Sequence, residues 1–248
     1  MAGPTQLRDN AFLATGTEVN WILLKDGNDL TLIDSGYPRD VAAVEASIRS
    51  IGGQPEDVRA ILLTHAHIDH IGGINHFHSK YGTQVYMNPT EVAHARRDYL
   101  EQATPLDVTK NIAKHGMVPW TLRIMRAGAL QHVTIPHALP FPMSDALDLP
   151  GNPVPVFTPG HTSGHSAYHV PALGIVISGD GLITGHAVSK IEGPQLLAGM
   201  FHHSEQDALD ALAALENLDA DLLLPGHGRP YEGAIRDAVA IARERAQR

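Results

Sequence analysis

The chain has 248 residues, 43% of them hydrophobic, and 18 Lys and Arg against 27 Asp and Glu give a formal net charge of −9 with histidine neutral. This apolar content can form a core, which excludes general disorder, and an acidic chain without a Lys/Arg run disfavours a nucleic-acid partner. Cysteine is absent, which excludes disulfides, thiolate ligands and a cysteine nucleophile, whereas histidine occurs 16 times. With no apolar run near the ~18 residues of a membrane span and no apolar leader, we expect a cytoplasmic protein without a membrane partner.

Apolar strands and amphipathic helices alternate along the chain. Short apolar runs predict strands at 19–24, 29–33, 58–63, 83–87, 174–178 and 220–224. Helical spacing of apolar residues predicts helices at 39–51, 72–81, 204–218 and 234–245, with two or three more within 88–126. Such alternation indicates an α/β or α+β protein. No linker divides it, so we expect one domain over 1–248 with a helical, cap-like insertion at about 90–132.

The strongest chemical signal is the segment Thr-His-Ala-His-Ile-Asp-His at 64–70, which directly follows a predicted buried strand. Alternate residues of a strand share a face, so His65, His67 and Asp69 would point the same way, and a loop would let His70 turn inward. Imidazole nitrogens and carboxylate oxygens are ligands for zinc, iron and manganese. One ion rarely takes four ligands from so short a segment and remains open for catalysis. Two ions that share the segment therefore fit this spacing better.

The same pattern recurs at four other predicted strand ends. Each of these apolar runs is followed by a histidine or an aspartate with glycine close by, namely Asp34, His161, Asp180 and His227. Glycine allows tight turns and close backbone approach, and ligands commonly gather beyond the ends of strands. The recurrence therefore indicates a single metal-binding pocket assembled from distant parts of the chain.

This ordered set of motifs resembles the metallo-β-lactamase superfamily over about residues 19–231. The resemblance implies a four-layer αββα sandwich with two divalent metal ions along one edge, expected to be zinc, with iron or manganese as alternatives. Carried over position by position, it implies one ion held by His65, His67 and His161, a second held by Asp69, His70 and His227, and Asp180 between the two. Asp34 would hydrogen-bond the ligand loop and so orient a ligand.

The resemblance implies a hydrolase in which a metal-bridging hydroxide attacks the carbonyl of a small molecule. Asp69 would have a catalytic role in moving protons. Two divalent ions, two carboxylates and hydroxide leave a residual charge of about +1, which favours anionic or strongly polarised substrates.

Departures from the patterns of known subfamilies narrow the range of possible substrates. Asp180 argues against a dedicated β-lactamase, and only 21 residues follow His227, too few for a glutathione-binding extension. Ile183 stands where related lactonases have tyrosine. A small ester, thioester, lactone or amide remains as the expected substrate. The alternatives are a mononuclear iron dioxygenase of the same fold and a β-lactam-hydrolysing member.

Several other features remain open at this stage. His202 and His203 precede a predicted helix and could bind substrate or belong to the helix cap. His165 and His186 could approach the site, with His165 expected to support it or pack rather than to bind metal. The segment 90–132 carries six basic and four acidic residues, which suits either a lid for an anionic substrate or a solvated helical surface. No feature of the sequence predicts the oligomeric state.

Overall fold

The computed structural model describes residues 3–142 and 146–247, so positions 1–2, 143–145 and 248 of the predicted domain lie outside the described residues. Its strands are β1 Thr5–Arg8, β2 Ala11–Thr15, β3 Asn20–Asp26, β4 Asp29–Ile33, β5 Val58–Leu62, β6 Gln84–Met87, β7 Leu139–Pro140, β8 Val154–Phe157, β9 Ser166–Val170, β10 Ile175–Gly179, β11 Leu222–Pro225 and β12 Tyr231–Glu232. Its α-helices are α1 Val41–Ser50, α2 Ile74–Tyr81, α3 Pro89–Arg96, α4 Pro105–Asn111, α5 Met117–Ala127, α6 Glu205–Ala211, α7 Ala213–Glu216 and α8 Ile235–Ala246.

The strands form two sheets. The first has seven strands in the order β1-β2-β3-β4-β5-β6-β7, and the second has five in the order β12-β11-β10-β9-β8. Within the first sheet β4 and β5 are parallel, and within the second β10 and β11 are parallel. Since β9 is antiparallel to both β8 and β10, β8 also runs in the direction of β10.

Side chains of the central strands alternate between two cores, which explains their unbroken apolar runs. In β10, Ile175 and Ile177 pack between the sheets, while Val176 packs under the helices that cover the second sheet. In β4, Ile33 faces the other sheet and Leu32 faces the helices over the first sheet. Helices thus cover the outer face of each sheet. The predicted four-layer αββα sandwich is confirmed.

The carboxyl ends of the parallel strands bring the chemistry-bearing segments to one edge. Asp34 follows β4, the 64–70 segment follows β5, Asp180 follows β10, and His227 follows β11. His161 follows β8, which runs in the same direction as β10. Backbone hydrogen bonds join the two sheets there, including Ser166 N to Thr64 O at 2.9 Å and Asn20 N to Gly226 O at 2.8 Å.

Two parts of the structure differ from the sequence-based elements. The hairpin of β1 and β2 was not predicted, because the edge strand β1 is mostly exposed and its sequence, Thr-Gln-Leu-Arg, lacks a clear apolar alternation. The helix predicted at 204–218 is divided at Leu212 into α6 and α7. None of the helices in the described ranges combines the length and the apolarity that crossing a bilayer requires.

Candidate metal centre

All seven side chains predicted as ligands meet in one buried cluster at this edge. Their ligating atoms form three groups in which all atoms lie within 4.8 Å of one another: His65, His67 and His161; His65, His70 and Asp180; Asp69, His70 and His227. The overlap of the groups means that the seven residues form one site with two halves. Side chains as distant in the chain as His65 and His227 meet because the loops that follow strands of both sheets lie at the same edge of the sandwich.

The first half consists of three imidazoles whose nitrogens almost touch. The Nε2 atom of His161 lies 3.1 Å from Nε2 of His65 and 2.9 Å from Nδ1 of His67. All three side chains are buried. Neutral nitrogens at such distances present their lone pairs to a common point, which is the arrangement of a three-histidine metal site.

The second half combines imidazoles with carboxylates. The Nε2 atom of His227 lies 3.1 Å from Oδ2 of Asp180 and 3.5 Å from Oδ2 of Asp69, and Nε2 of His70 lies 3.5 Å from Oδ1 of Asp180. The Oδ2 atom of Asp180 is also 3.4 Å from Nε2 of His161, which belongs to the first half. The Asp180 carboxylate therefore lies between the two halves.

Asp34 orients the segment that carries the ligands. It has a positive φ of 61° and accepts hydrogen bonds from Thr64 N at 2.9 Å, Thr64 Oγ1 at 2.8 Å and His70 Nδ1 at 2.8 Å. Because the Thr64 hydroxyl donates to Asp34, its oxygen accepts from Nδ1 of His65 at 3.0 Å. These bonds keep a proton on Nδ1 of His65 and of His70 and direct Nε2 of each ring into the cluster as the atom that can bind a metal.

Backbone carbonyls orient two more histidines in the same way. His67 donates from Nε2 to the carbonyl of Glu101, and His227 donates from Nδ1 to the carbonyl of Glu18 at 2.6 Å. A carbonyl can only accept, so the nitrogen bonded to it keeps its proton, and the opposite nitrogen of each ring, which faces the cluster, is the one that can bind a metal in its deprotonated form. Imidazoles held in this tautomer are suited to bind metal.

The two halves differ electrostatically. Burial, together with neighbouring imidazoles, holds the pKa of His65 and of His161 well below the ordinary value, and burial lowers that of His67 to about 4. Burial also opposes charge on His227, but Asp180 outweighs it and raises the pKa of His227 to about 10. Burial raises the pKa of Asp180, but His227 and His70 bring it well below the ordinary range. In the second half the carboxylates thus hold the His227 imidazole in its protonated form, and a bound cation would take the place of that proton.

Glycine permits the close approach of the loop that carries His227. A Cβ atom on Gly226 would lie 2.2 Å from Oδ1 of Asp180 and 3.0 Å from Cε1 of His70. Such a contact would displace two of the clustered side chains. The glycine before His227 is therefore required by packing against the site itself.

Glu91 was not identified from the sequence, although it supports the two loops that carry the three histidines of the first half, the 64–70 segment and the loop with His161; these are called the two ligand loops below. It is fully buried and accepts hydrogen bonds from Ala66 N at 2.7 Å, Thr162 Oγ1 at 2.8 Å and His94 Nδ1 at 2.7 Å. Ala66 lies between two of the histidines of the first half, and Thr162 follows the third. The only sequence signal is its i, i+3 spacing to His94 on α3, which is also common on solvated helix faces.

Glu101 was also missed. Besides the carbonyl that accepts from His67, its carboxylate accepts from Ser163 N at 2.7 Å and Ser163 Oγ at 2.5 Å. Its own backbone N–H donates to Nε2 of His94 at 3.2 Å. The loop between α3 and α4 is thus joined to both loops that carry the three histidines of the first half.

The remaining histidines lie around the cluster. His165 is buried, and its Nε2 atom accepts from Asp180 N at 3.2 Å, so it supports Asp180 and belongs to none of the three groups of ligating atoms. The ring of His202 is 5.4 Å from that of His161, but its Nε2 atom donates to Leu197 O, and His203 is half exposed beside Glu101. Neither His202 nor His203 is among the residues lining the cavity that opens on the cluster, whereas His186 is.

Comparisons with known proteins agree with this geometry. The sequence model of the metallo-beta-lactamase superfamily matches residues 14–227. The chain is 24% identical to the probable metallo-hydrolase YflN of Bacillus subtilis, over 85% of this chain and 80% of that protein. It is 28% identical to the hydroxyacylglutathione hydrolase of Buchnera aphidicola, over 66% of this chain but only 47% of that protein. A metallo-beta-lactamase family protein from Thermus thermophilus has the same fold, with a TM-score of 0.66 at 23% identity, over 96% of this chain and 80% of that one. The chain therefore belongs to the metallo-β-lactamase superfamily.

Proposed function

We propose that this protein is a binuclear metal-dependent hydrolase that cleaves the acyl C–O, C–S or C–N bond of a small ester, thioester, lactone or amide. The observation that carries the proposal is the position of Asp180, whose carboxylate lies between a three-histidine group and a group of two histidines and Asp69. Each half has enough ligands for one divalent ion, and Asp180 can contact both.

The residues present fit a metal pair. A tetrahedral zinc ion with Zn–N bonds of about 2.0–2.1 Å has ligand nitrogens about 3.3 Å apart, close to the separations among His65, His67 and His161. The Nε2 atom of His70 and the Oδ1 atom of Asp180 are buried without a hydrogen-bond partner among the described residues. Buried polar atoms are normally paired, so these two atoms support a bound cation. Nitrogen and oxygen ligands suit zinc, and they also suit iron or manganese.

The chain's own residues would contribute positioning and proton transfer. When bound, the ion pair lowers the pKa of water and polarises the substrate carbonyl. Asp34 and the carbonyls of Glu18 and Glu101 hold imidazoles in the ligating tautomer, and Glu91 supports the two loops that carry the three-histidine group. Asp69 is the most exposed carboxylate of the site, at 15% of its side-chain surface compared with 3% for Asp180, and it lines the cavity. We assign it the transfer of a proton to the leaving group.

The relatives support hydrolysis without identifying the substrate. One is named a probable metallo-hydrolase, and another is named a hydroxyacylglutathione hydrolase. We further propose that residues 1–248 form one domain, in which the helical insertion at about 90–132 covers the site, because α4 and α5 line the cavity.

The test combines metal counting with a substrate panel on the same sample. Protein stripped with chelator and reloaded with zinc should bind two equivalents and hydrolyse at least one of a set of esters, thioesters, lactones, amides and a chromogenic β-lactam. His67→Ala and His227→Ala should each bind one equivalent less, whereas the exposed His132→Ala should behave like the parent protein. One equivalent of iron with oxygen consumption, or no turnover of the whole panel, would refute the proposal.

A further inference from the structure

A single cavity connects the metal-ligand cluster with the helical insertion. It has a volume of about 380 Å³ and is lined at its base by His67, Asp69, His161, Asp180 and His227. This volume is at the small end of the roughly 300–1,000 Å³ typical of ligand pockets. A molecule that reaches the cluster through this cavity is therefore surrounded by the side chains of its walls.

The walls are apolar and aromatic. Trp120 and Ile124 come from α5, and Phe201 comes from the 3-10 turn Gly199–Phe201. The Trp120 and Phe201 rings meet edge to face with centroids 5.6 Å apart, and Phe201 also contacts the ring of His186 at 5.3 Å. These contacts fix a rigid apolar wall beside the cluster.

Charge is confined to the base of the cavity. Among the described residues that line it, the only acidic ones are Asp69 and Asp180, and none is lysine or arginine. The six basic residues of the insertion do not reach the lining, and Arg97 instead donates to the carbonyls of Ala66 and Val133. An anionic substrate group beyond the reacting carbonyl would find no cationic side chain on these walls, only neutral polar groups such as Gln102 and Thr121, and burying a charge without a counter-charge is costly.

The apolar lining continues to the outer surface. Met125 and Leu130 line the cavity and are also exposed, at 45% and 70% of their surface. An apolar group too long for the cavity can therefore extend over them instead of meeting a charged rim.

From these walls the geometry points to a neutral ester or lactone whose apolar group lies in the cavity against the wall formed by α5 and Phe201, with its carbonyl at the metal-ligand cluster. The inference rests on the proposed hydrolase function and adds the substrate class. It replaces the expectation of an anionic substrate, which was based on the charge of the ions and ligands and not on the walls.

The test uses p-nitrophenyl esters of straight-chain acids from acetate to decanoate on the zinc-loaded protein. The value of kcat/KM should rise by up to about fourfold per methylene until the cavity is full. The p-nitrophenyl ester of pentanoate should be hydrolysed at least tenfold better than the monoester of glutarate, which has a similar length and a negative charge. A flat or falling profile, or preference for the charged ester, would overturn the inference.

Two substitutions on one helix separate the cavity from the surface. Met125→Asp should lower kcat/KM for the octanoate ester at least tenfold and that for acetate much less. Leu122→Asp is the matched control, since Leu122 is 50% exposed on the same helix and does not line the cavity, and it should leave the profile unchanged. Equal effects of the two substitutions would contradict the assignment.

Binding to the metal-free protein distinguishes this inference from the proposed function. Straight-chain methyl ketones should bind by calorimetry with affinity that rises with chain length, and Met125→Asp should weaken this binding. If the ketones bind in this way but no ester, thioester or lactone is hydrolysed, the proposed function fails and the apolar site remains. If esters are hydrolysed without any chain-length preference in turnover or in ketone binding, the substrate class is wrong.

Discussion

Replacing Glu91 should loosen both loops that carry the three-histidine group. The carboxylate is fully buried and accepts three hydrogen bonds of 2.7–2.8 Å, from Ala66 N, Thr162 Oγ1 and His94 Nδ1. Alanine would leave these three donors buried without their acceptor. Breaking a buried charged or hydrogen-bonded group in this way costs about 3–5 kcal/mol. Since whole domains are stable by only about 5–15 kcal/mol, Glu91→Ala could leave little folded protein.

Glu91→Gln is therefore the more informative variant. Glutamine preserves the volume, and its carbonyl oxygen can keep the two donors that share Oε1, but its amide group cannot accept from Thr162 Oγ1. We therefore expect a loss of about 1–3 kcal/mol in the free energy of unfolding of the metal-free protein. Because the ligand loops lose part of their support, zinc affinity should fall about 10–100-fold. Urea unfolding measures the first quantity, and competition with a chromogenic chelator measures the second.

The effect should also depend on pH. Burial raises the pKa of Glu91, but the hydrogen bond and charge of His94 outweigh it, so that the pKa is lower in the folded protein than in the unfolded chain. A depressed carboxyl pKa stabilises the fold above the unfolded value of about 4.3, and this contribution is lost as the pH falls through the folded value. The stability difference between the parent protein and Glu91→Gln should therefore be full at neutral pH and shrink below about pH 4.

The matched control is Glu56→Gln, which removes an exposed carboxylate on the 3-10 turn Pro55–Asp57, outside both ligand loops. It should change stability by less than about 0.5 kcal/mol and leave zinc affinity unaltered. The reasoning would be refuted if Glu91→Gln matched the parent protein in both measurements, or if its destabilisation were the same at pH 3 and at pH 7.

Three further predictions concern the metal centre. Asp34→Asn keeps a side chain that tolerates the positive φ of 61°, but it weakens the acceptor for His70. Zinc affinity, measured by chelator competition, should therefore fall about 10–100-fold. Unchanged affinity would contradict the role assigned to Asp34. Gly226→Ala brings a Cβ atom within 2.2 Å of Asp180, so less zinc should remain bound after dialysis. The control is Gly185→Ala, whose Cβ would meet its nearest atom at 3.5 Å and which should retain both equivalents of zinc. Zinc at 100 times its Kd should raise the free energy of unfolding by about 2.7 kcal/mol for each ion bound, and chelator should reverse this effect. A melting temperature unaffected by zinc would argue against a metal centre.

Local patterns in the sequence were enough for the α/β or α+β class and for grouping the cluster, whereas the four-layer αββα sandwich was implied by the resemblance to the metallo-β-lactamase superfamily. Strands such as β11 are buried on both faces, so they are apolar at every position and are recognisable without knowledge of their partners. The change from such a run to glycine with aspartate or histidine marks the strand end, as in Gly179-Asp180 and Gly226-His227. Since parallel strands end at a common edge, the seven distant residues could be grouped before their distances were known.

Contacts between distant segments decided what the sequence could not indicate. Glu91 has the pattern of an ordinary helical glutamate, and it is buried only because α3 packs against the two ligand loops. Glu101 acts on His67 through its backbone carbonyl, a group that every residue has. The Trp120 wall and the exclusion of the basic side chains from the cavity also depend on how α5 packs over the site. The sequence by itself therefore determined which residues can bind metal, because ligand chemistry and strand ends are local. Only the tertiary structure decided how these ligands are oriented and what surrounds the substrate, because both depend on packing between segments that are distant in the chain.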